Sequence, residues 1–301
     1  MRVGVTGATG FIGSRLVAAL RQRGDEVTAF SRGVAKAHER LGVSDVVQWD
    51  PSTEPAPASA LSGLDAVVSL AGARVDQRWT DATKRQIFNS RVAGTRNLVA
   101  GLQQADPPPS VLVSASAAGY YGDRGSQLLE EEAGPGSDFL ASVCVAWEAA
   151  ADGAAEFGMR VVKVRTGVAL DRSGGALARM LLPFRAGAGG PVGSGRQYMP
   201  WIALDDLVGI YTAALDASEW SGAVNACTPS PATNREFARA LARALHRPAV
   251  VLVPPLALRV IFGEMASVLT VSQRMVPARA VAWGYEFRHP DLDGALETAL
   301  R

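Results

Sequence analysis

Cysteine and histidine are scarce in this chain of 301 residues. The two cysteines, Cys144 and Cys227, are too few for a disulfide scaffold. None of the three histidines lies at ligand spacing from a cysteine or a carboxylate, so no metal site is expected. The chain also has no marked excess of either charge, because 30 basic and 29 acidic residues give a formal net charge of +1. Neither a polyanion partner nor a nucleic-acid partner is therefore expected.

Long apolar runs and an export signal are likewise missing. No apolar stretch reaches about 18 residues without a charge, so neither a membrane span nor a membrane partner is expected. The N-terminal sequence MRVGVTGATG is predicted to enter a strand at once. It shows neither the charged n-region nor the apolar h-region of a signal peptide. With so few cysteines, this predicts a protein of the reducing cytoplasm.

The first half of the chain alternates short β-branched runs with amphipathic stretches. Helices between strands imply crossover connections, so the sheet is predicted to be parallel and covered on both faces. This is the α/β class, with a Rossmann-type doubly wound sheet. The predicted strands are Arg2–Thr6, Glu26–Ser31, Val46–Trp49, Ala66–Leu70, Val111–Ala115 and Val161–Arg165, and the helices include Ser14–Arg23, Thr83–Gln103 and Phe139–Phe157.

The pattern changes after Leu170, which predicts two interleaved parts. Residues 1–170 form the dinucleotide-binding Rossmann domain, completed by a helix and a strand within 203–228. Residues 171–202 and 229–301 form a smaller, mostly helical C-terminal lobe for the substrate. One helix of that lobe begins with Thr233 three residues before Glu236, which is the capping-box spacing.

The strongest motif is a glycine-rich turn that directly follows the first predicted strand and opens a helix. In this context, glycines permit a tight turn, close approach to a pyrophosphate and close helix–strand packing. The helix N-terminus offers backbone N–H donors to phosphate. The alternative is a strand–helix turn that needs glycine only for its geometry. The predicted cofactor-binding residues of the motif are Gly7, Thr9, Gly10, Phe11, Ile12 and Gly13.

The end of the second strand distinguishes between NAD and NADP. NAD sites usually carry an acidic residue there, which bonds the ribose 2′-hydroxyl. This strand ends in Ser31 and Arg32, with no carboxylate. Arg32 can pair with a 2′-phosphate and Ser31 can add a hydroxyl, so NADP(H) is predicted. The alternative is that Arg32 is merely solvated at a loop.

Two further strand ends are predicted to border the cofactor, because ligands bind outside the carboxyl ends of parallel strands. Asp50 follows the third strand, near the expected position of the adenine. Leu70, Ala71 and Gly72 follow the fourth strand, beside the middle of the cofactor. Asp50 can equally be a turn residue before Pro51, and that alternative stays open.

Several motifs are distributed along nearly the whole chain. They are TGATGFIG (Thr6–Gly13), RVAGT (Arg91–Thr95), SASAAGYYG (Ser114–Gly122), GGPVGSGRQYMPWI (Gly189–Ile202) and Asp205-Asp206. Together they resemble the extended, epimerase-like branch of the short-chain dehydrogenase/reductase superfamily. More narrowly, they resemble an atypical "epimerase family" related to the mammalian short-chain dehydrogenase/reductase family 39U member 1, including its C-terminal domain of unknown function. The resemblance implies NADP(H), an epimerase/dehydratase-type fold and a nucleotide-sugar-like substrate class.

The departures from this pattern concern the catalytic residues. The superfamily uses a Tyr-x-x-x-Lys pair followed by a glutamate, and alignment on Glu148 puts Leu140 and Cys144 at the tyrosine and lysine positions. Arg91 stands where the family carries an asparagine, and it is included among the predicted cofactor-binding residues. Cys144 is expected to be a small apolar helix residue rather than a reactive thiol.

The remaining candidates for chemistry follow the fifth strand. Ser116 can bond a substrate carbonyl or hydroxyl, or cap a turn. Tyr121 can donate a proton or pack below the site, and Tyr120 is the alternative phenol, because neighbours on a strand point apart. A phenol without a neighbouring lysine is expected to act as a hydrogen-bond donor rather than a base.

An acidic pair and a glycine-rich segment in the second half can each be explained by a structural role. The carboxylates of Asp205 and Asp206 are predicted to cap the helix that follows them. The glycine-rich segment Gly187–Gly195 is predicted to be a mobile loop over the nicotinamide end, with backbone amides suited to an anionic substrate. A plain flexible connection is the alternative to that loop.

Two functions remain open from the sequence. The leading one is an NADP(H)-dependent oxidoreductase or epimerase-like enzyme, acting on a small hydroxyl or carbonyl substrate that is anionic or nucleotide-linked. The alternative is a non-catalytic NADP(H)-binding redox sensor or regulatory protein, which the absent Tyr/Lys pair favours. The partners expected are this small molecule and a second copy of the chain in a homodimer.

Overall fold

The sheet follows from short, branched strands whose side chains are buried on both faces. The computed structural model describes residues 1–43, 45–249 and 251–301. Within these ranges the strands, numbered in chain order, are β1 (Arg2–Thr6), β2 (Glu26–Ser31), β3 (Val46–Gln48), β4 (Ala66–Ser69), β5 (Val111–Ala117), β6 (Leu128–Leu129), β7 (Arg160–Thr166), β8 (Val168–Leu170), β9 (Tyr198–Met199), β10 (Trp201–Ala203), β11 (Gly222–Ala226), β12 (Ala232–Thr233) and β13 (Arg274–Met275).

Helices connect these strands and make up most of the C-terminal part. They are α1 (Phe11–Gln22), α2 (Val34–Leu41), α3 (Ala58–Leu61), α4 (Asp81–Gln103), α5 (Phe139–Asp152), α6 (Gly175–Arg185), α7 (Leu204–Asp216), α8 (Asn234–Ala244), α9 (Pro255–Phe262), α10 (Ala278–Ala282) and α11 (Leu292–Leu300). Three 3-10 turns lie at Ala118–Tyr121, Gly153–Phe157 and Gly263–Leu269. Among the residues described, no helix has both the length and the apolar character needed to cross a membrane.

Seven parallel strands form the main sheet, in the order β11-β7-β5-β4-β1-β2-β3. Thr6 at the end of β1 pairs with Phe30 on β2 and with Ser69 on β4. The strand order reverses between β1 and β4, which opens a crevice at the carboxyl edge of the sheet. The prediction of an α/β doubly wound parallel sheet with a helical C-terminal region is confirmed.

Separate apolar cores cover the two faces of the sheet and fill the C-terminal part. On one face, α1 and α7 pack together against the buried valines of β1 and β4. On the other face, α4 and the 3-10 turn after α5 pack against Leu112 and Val161. A further core joins α6, α8 and α11 around Trp201 and Phe237. The helix α8 begins with the predicted capping box between Thr233 and Glu236.

Some elements differ from the sequence predictions. The fifth strand continues to Ala117, because serine and alanine extend it beyond the β-branched run. The helices α2 and α6 were not predicted. α2 has only eight residues. α6 begins at the second of two adjacent glycines and contains Pro183, which are turn and breaker signals.

One buried glycine on α4 offers a test of this packing. A Cβ at Gly101 would overlap the backbone carbonyl of Ala56, whose N–H is already held by Asn97. We expect Gly101→Ala to lower the free energy of unfolding by about 1–3 kcal/mol, because neither backbone can move away. At Gly153 a Cβ would meet only a side-chain methyl of Val99, at 3.5 Å.

Gly153→Ala is therefore the matched control, and it should be neutral or stabilising by up to about 1 kcal/mol. Urea denaturation of the two variants measures the difference. Equal stability of both variants would contradict the close approach of α4 to the segment before α3.

Candidate cofactor and active site

The glycine-rich turn brings three backbone segments into contact. Gly7 has a φ of +65°, and a Cβ there would lie 2.7 Å from the carbonyl carbon of Leu70. A Cβ at Gly13 would overlap the carbonyl oxygen of Gly7, and Gly10 donates its N–H to that same oxygen at 2.9 Å. Only glycine therefore allows α1 to start this close to the ends of β1 and β4.

The first turn of α1 has backbone donors without partners. The N–H of Ser14 is the first that bonds within the helix, to Gly10 at 3.0 Å, while those of Phe11, Ile12 and Gly13 donate to no described residue. The first turn contains no acidic side chain, and Gly10 supplies no side-chain cap. The ring of Phe11 packs on Gly174, and Thr9 is partly exposed beside the turn. Such a helix start suits a phosphate.

The ends of β2 and β3 lie side by side. Ser31 accepts a bond from the N–H of Gly33 at 3.3 Å, and Arg32 is exposed and pairs with no carboxylate of the described residues. Asp50 accepts two bonds from Ser52, through its N–H and its hydroxyl. These bonds, with a smaller contribution from Arg32, hold the pKa of Asp50 below its usual range. Asp50 is thus a turn residue, which is the alternative that the sequence analysis left open.

The end of β4 is tied to β1 on one side and to α4 on the other. The Thr6 hydroxyl accepts the N–H groups of Leu70 and Ala71 at 3.2 and 3.3 Å. Arg91 on α4 donates to the carbonyl of Ala73 at 3.0 Å, and a Cβ at Gly72 would lie 3.2 Å from its guanidinium carbon. The predicted residues Leu70, Ala71, Gly72 and Arg91 are thus grouped at one edge of the crevice.

A buried ion pair lies below the end of β5. Glu148 on α5 accepts both Nε and a terminal nitrogen of Arg165 on β7, each at 2.9 Å. Ser116 donates its hydroxyl to the same carboxylate at 2.6 Å. The Ser116 proton is therefore used within the protein and is not available to a substrate in this arrangement.

The two tyrosines have different surroundings. Tyr121 is fully buried, donates to the side-chain oxygen of Asn225 at 2.7 Å and accepts from Arg165 at 3.0 Å. Burial raises the pKa of Tyr121 to about 12. Tyr120 is partly exposed, and the Arg165 guanidinium lies 3.5 Å from its ring centre. Its hydroxyl bonds to none of the described residues.

The premise that these neighbours point apart is wrong. They lie in the 3-10 turn that follows β5 rather than on the strand, so the strand alternation does not apply. Their rings pack edge to face with centres 5.3 Å apart. Of the two, Tyr120 keeps some exposure to solvent, whereas Tyr121 is fully buried beneath it.

The helix α5 presents apolar groups where the family carries tyrosine and lysine. Leu140 packs against Gly119, and the thiol of Cys144 lies 3.8 Å from the carbonyl oxygen of Ala117. Burial raises the pKa of the Cys144 thiol to about 12. As expected from the sequence, Cys144 is a small buried helix residue. In the described ranges, no three His, Cys, Asp or Glu side chains group as metal ligands would.

Three buried polar residues were not identified from the sequence. These residues are Arg165 on β7, Asn225 on β11 and Glu131 after β6. Glu131 accepts the backbone N–H of Asn225 at 2.9 Å, and Arg165 donates to the Glu131 carbonyl at 2.9 Å. For Arg165 and Asn225, the available signal was a charged or amide side chain within a mostly buried strand; Glu131 lies outside a strand and carries no such signal.

Two sequence predictions about the second half need correction. Asp206 does not cap α7, because its carboxylate accepts the N–H groups of Arg288 and His289 at 2.8 and 3.0 Å. Asp205 instead pairs with Arg15 at 2.9 Å. These carboxylates attach other segments to α7.

The amides of the glycine-rich segment Gly187–Gly195 are also partly occupied. Val192 donates to the side chain of Asn234 at 2.8 Å, and Gly193 donates to the carbonyl of Val253 at 2.9 Å. These two amides are therefore not available to an anionic substrate, which corrects the role that the sequence suggested for them.

Comparisons with known proteins identify related chains. The NAD dependent epimerase/dehydratase family matches residues 3–227, and a domain of unknown function, DUF1731, matches residues 253–299. The chain is 39% identical over 305 residues to the epimerase family protein SDR39U1 of Mus musculus, covering 100% of both. It is 38% identical to the chloroplastic SDR39U1 homologue of Arabidopsis thaliana, covering 100% of this chain and 87% of that one.

A solved structure is similar over the whole chain. Human SDR39U1 (isoform 2), crystallised with NADPH, superposes with a TM-score of 0.89 at 36% identity, covering 99% of each chain. A nucleoside-diphosphate sugar epimerase from Corynebacterium glutamicum has a TM-score of 0.81 at 34% identity, and this chain covers 58% of it.

Two carboxylates on α5 provide a test of the buried ion pair. The side chains of Arg165 and Glu148 are only 5% and 7% exposed, whereas Asp152, which pairs with Lys163, is 51% exposed. We expect Glu148→Gln to lower the free energy of unfolding by about 3–5 kcal/mol, because it leaves a buried guanidinium without its counter-ion. The matched control Asp152→Asn should cost less than about 1 kcal/mol.

The measurement is chemical denaturation of both variants at pH 7. Similar losses for the two variants would show that the buried pair is no more important to stability than the exposed one.

Proposed function

The chain belongs to the NAD dependent epimerase/dehydratase family, and on that basis we propose that it binds NADP(H) in the crevice at the carboxyl edge of its sheet. We further propose that it transfers hydride to or from a small hydroxyl- or carbonyl-bearing substrate, as an oxidoreductase or epimerase-like enzyme. An anionic or nucleotide-linked substrate fits this class.

One observation carries the cofactor proposal. In the turn from Gly7 to Gly13, the first and last glycines leave no room for a Cβ, and three backbone donors find no partner among the described residues; the turn lies where the strand order reverses. Such a concave surface of N–H groups suits a pyrophosphate. The NADPH bound to the similar human protein supports this choice.

The preference for NADP(H) over NAD(H) rests on Arg32. Its guanidinium has no protein carboxylate within ion-pair distance in the described residues, and β2 ends without an acidic residue. A 2′-phosphate would give it a charge-assisted pair, with Ser31 as a further donor. Asp50 would then contribute indirectly, because its turn after β3 borders the crevice next to the end of β2.

The remaining residues would hold the rest of the cofactor. The amides of Phe11, Ile12 and Gly13 would bind the pyrophosphate, with Gly10 and Thr9 shaping the turn. Leu70, Ala71 and Gly72 would border the middle of the molecule. When bound, the cofactor supplies a hydride at its nicotinamide ring, and the protein contributes orientation and a proton donor.

The proton donor that we propose is Tyr120. Ser116 donates to Glu148, and Tyr121 is buried and bonded to Asn225, so neither has a free proton. Tyr120 is partly exposed at the end of β5, with the Arg165 cation against its ring. A phenol in this position can donate to a carbonyl oxygen as hydride arrives at the carbon, which favours reduction.

A second candidate function is a non-catalytic NADP(H)-binding sensor or regulatory protein. It is favoured by Leu140 and Cys144, which replace the Tyr/Lys pair of the family with an apolar side chain and a buried, non-ionised thiol. The two candidates share the cofactor site and differ only in turnover.

The cofactor preference can be tested by a charge reversal. We expect the parent protein to bind NADPH more tightly than NADH, and Arg32→Asp to weaken NADPH by about 2 kcal/mol, because an anion would face the 2′-phosphate. The matched control is Arg40→Asp, an exposed arginine at the far end of α2 that should leave both affinities unchanged. Fluorescence titration measures each affinity. Equal binding of NADPH and NADH by the parent would contradict the proposal.

The proton donor can be tested in a turnover assay with NADPH and a panel of ketones and nucleotide-linked keto sugars. Tyr120→Phe should lower the rate by about 100-fold with the NADPH affinity unchanged, because it removes a general acid. Tyr121→Phe should instead lower the melting temperature, because it leaves buried groups of Asn225 and Arg165 without a partner. Full activity of Tyr120→Phe would exclude this role, and tight NADPH binding without any turnover would favour the sensor.

A further inference from the structure

Arg91 is a largely enclosed cation without a counter-ion. One terminal nitrogen donates to the carbonyl oxygens of Ala73 and Ile87, at 3.0 and 3.3 Å. Its Nε and its other terminal nitrogen donate to none of the described residues, and no carboxylate among them lies within ion-pair distance. Burial lowers the pKa of this guanidinium, which reflects the cost of holding the charge there.

The surroundings of this cation keep it in place. The guanidinium stacks on the ring of Trp147 at 5.2 Å, and that ring is itself held by a bond to Thr95 at 3.0 Å. Charged groups of proteins that are removed from water are normally paired. Here no described residue supplies that partner, although the residue as a whole keeps part of its surface exposed.

The position of the guanidinium relates it to one half of the cofactor. It contacts Gly72 and Ala73 after β4 and stacks on Trp147 of α5, the helix that also carries Cys144 beside the end of β5. Arg32 lies after β2, on the other side of β1 in the sheet. A dinucleotide whose 2′-phosphate is at Arg32 and whose pyrophosphate is at α1 therefore extends its nicotinamide half toward Arg91.

Other ionisable groups near the end of β5 are paired, neutral or bonded within the protein. Arg165 is paired with Glu148, and the thiol of Cys144 is protonated. The Glu131 carboxylate is buried and accepts the backbone N–H groups of Asn225 and Arg279. Arg78, after β4, forms no ion pair with a described carboxylate, but it is exposed to solvent. Arg91 is therefore an enclosed positive charge that no carboxylate of the described residues compensates.

We propose that Arg91 makes the site selective for the reduced cofactor, so that NADPH binds more tightly than NADP⁺. The nicotinamide ring carries a positive charge in NADP⁺ and none in NADPH, whereas the phosphates are the same in both. An uncompensated cation beside the ring repels only the oxidised form. This inference deepens the proposed function and rests on NADP(H) binding in the crevice.

The alternative role for Arg91 is to neutralise the pyrophosphate. That role strengthens both redox forms by the same factor, because both carry the same phosphates. The ratio of the two affinities therefore separates the two roles, while the absolute affinities do not.

The experiment measures dissociation constants for NADPH, by its own fluorescence, and for NADP⁺, by competition against NADPH. The full chain is used as the parent protein and as Arg91→Met, Arg91→Gln and Arg91→Lys. We expect the parent to prefer NADPH by about tenfold or more, which corresponds to raising the potential of the bound couple by about 30 mV. Arg91→Met and Arg91→Gln should bring the ratio close to one, and Arg91→Lys should retain most of it.

Arg32→Ala is the control, because it faces a phosphate that is common to both forms. It should weaken NADPH and NADP⁺ by equal factors and leave their ratio unchanged. The ratio in the parent protein tests the proposal even where a variant at position 91 fails to fold.

Two results would overturn the inference while leaving the proposed function intact. One is equal affinity of the parent for NADPH and NADP⁺. The other is a preference for NADPH that persists unchanged in Arg91→Met and Arg91→Gln. Failure of the parent to bind either form would overturn both the inference and the proposed function.

Discussion

The contact between Gly7, Gly13 and Leu70 is the constraint on which the cofactor crevice depends. The end of β1 passes so close to the end of β4 that a Cβ at Gly7 would lie 2.7 Å from the Leu70 backbone. The start of α1 is equally close, because Gly13 packs on the carbonyl of Gly7. The Thr6 hydroxyl then joins β1 to the loop after β4. This packing places the open amides of α1 at the edge where the strand order reverses, so a larger side chain would move helix and donors together.

The nicotinamide side is built on a different principle. There, polar side chains from three separate elements satisfy one another: Glu148 from α5, Arg165 from β7 and Ser116 from β5. Because each of these groups has its partner inside the protein, the network makes the floor of the crevice rigid. The same bonding uses the groups that would otherwise be available for proton transfer. The loss of the family's Tyr/Lys pair on α5 is thus not compensated by Ser116 or Tyr121.

Local patterns in the sequence predicted those parts of the structure that depend on neighbouring residues. The bounds of β1 and β2 agree with the prediction, and so does the capping box at Thr233, because periodicity and end signals are local. The Glu148–Arg165 pair joins residues 17 apart in the chain, and Tyr121 meets Asn225 across 104 residues. No spacing rule relates such residues, since only the packed sheet brings them together. Tyr120 and Tyr121 show the same limit, because the 3-10 turn that follows β5 lacks the side-chain alternation of a strand that was assumed for them.

The distribution of charge links the two halves of the crevice to the direction of chemistry. Under the proposed function, Arg32 and the amides of α1 would attract phosphates, which both redox forms of the cofactor carry. Arg91 and Arg165 lie toward the other half, but Arg165 is neutralised by Glu148, and Arg91 is the charge that we propose acts on the ring. A site that favoured the neutral ring and offered a phenol rather than a base would retain NADPH until a carbonyl accepted its hydride. If no carbonyl substrate entered, the same charges would give a protein in which the fraction of sites filled by NADPH follows the ratio of NADPH to NADP⁺. Enzyme and sensor therefore need the same charge arrangement, and they differ in whether a substrate can reach Tyr120.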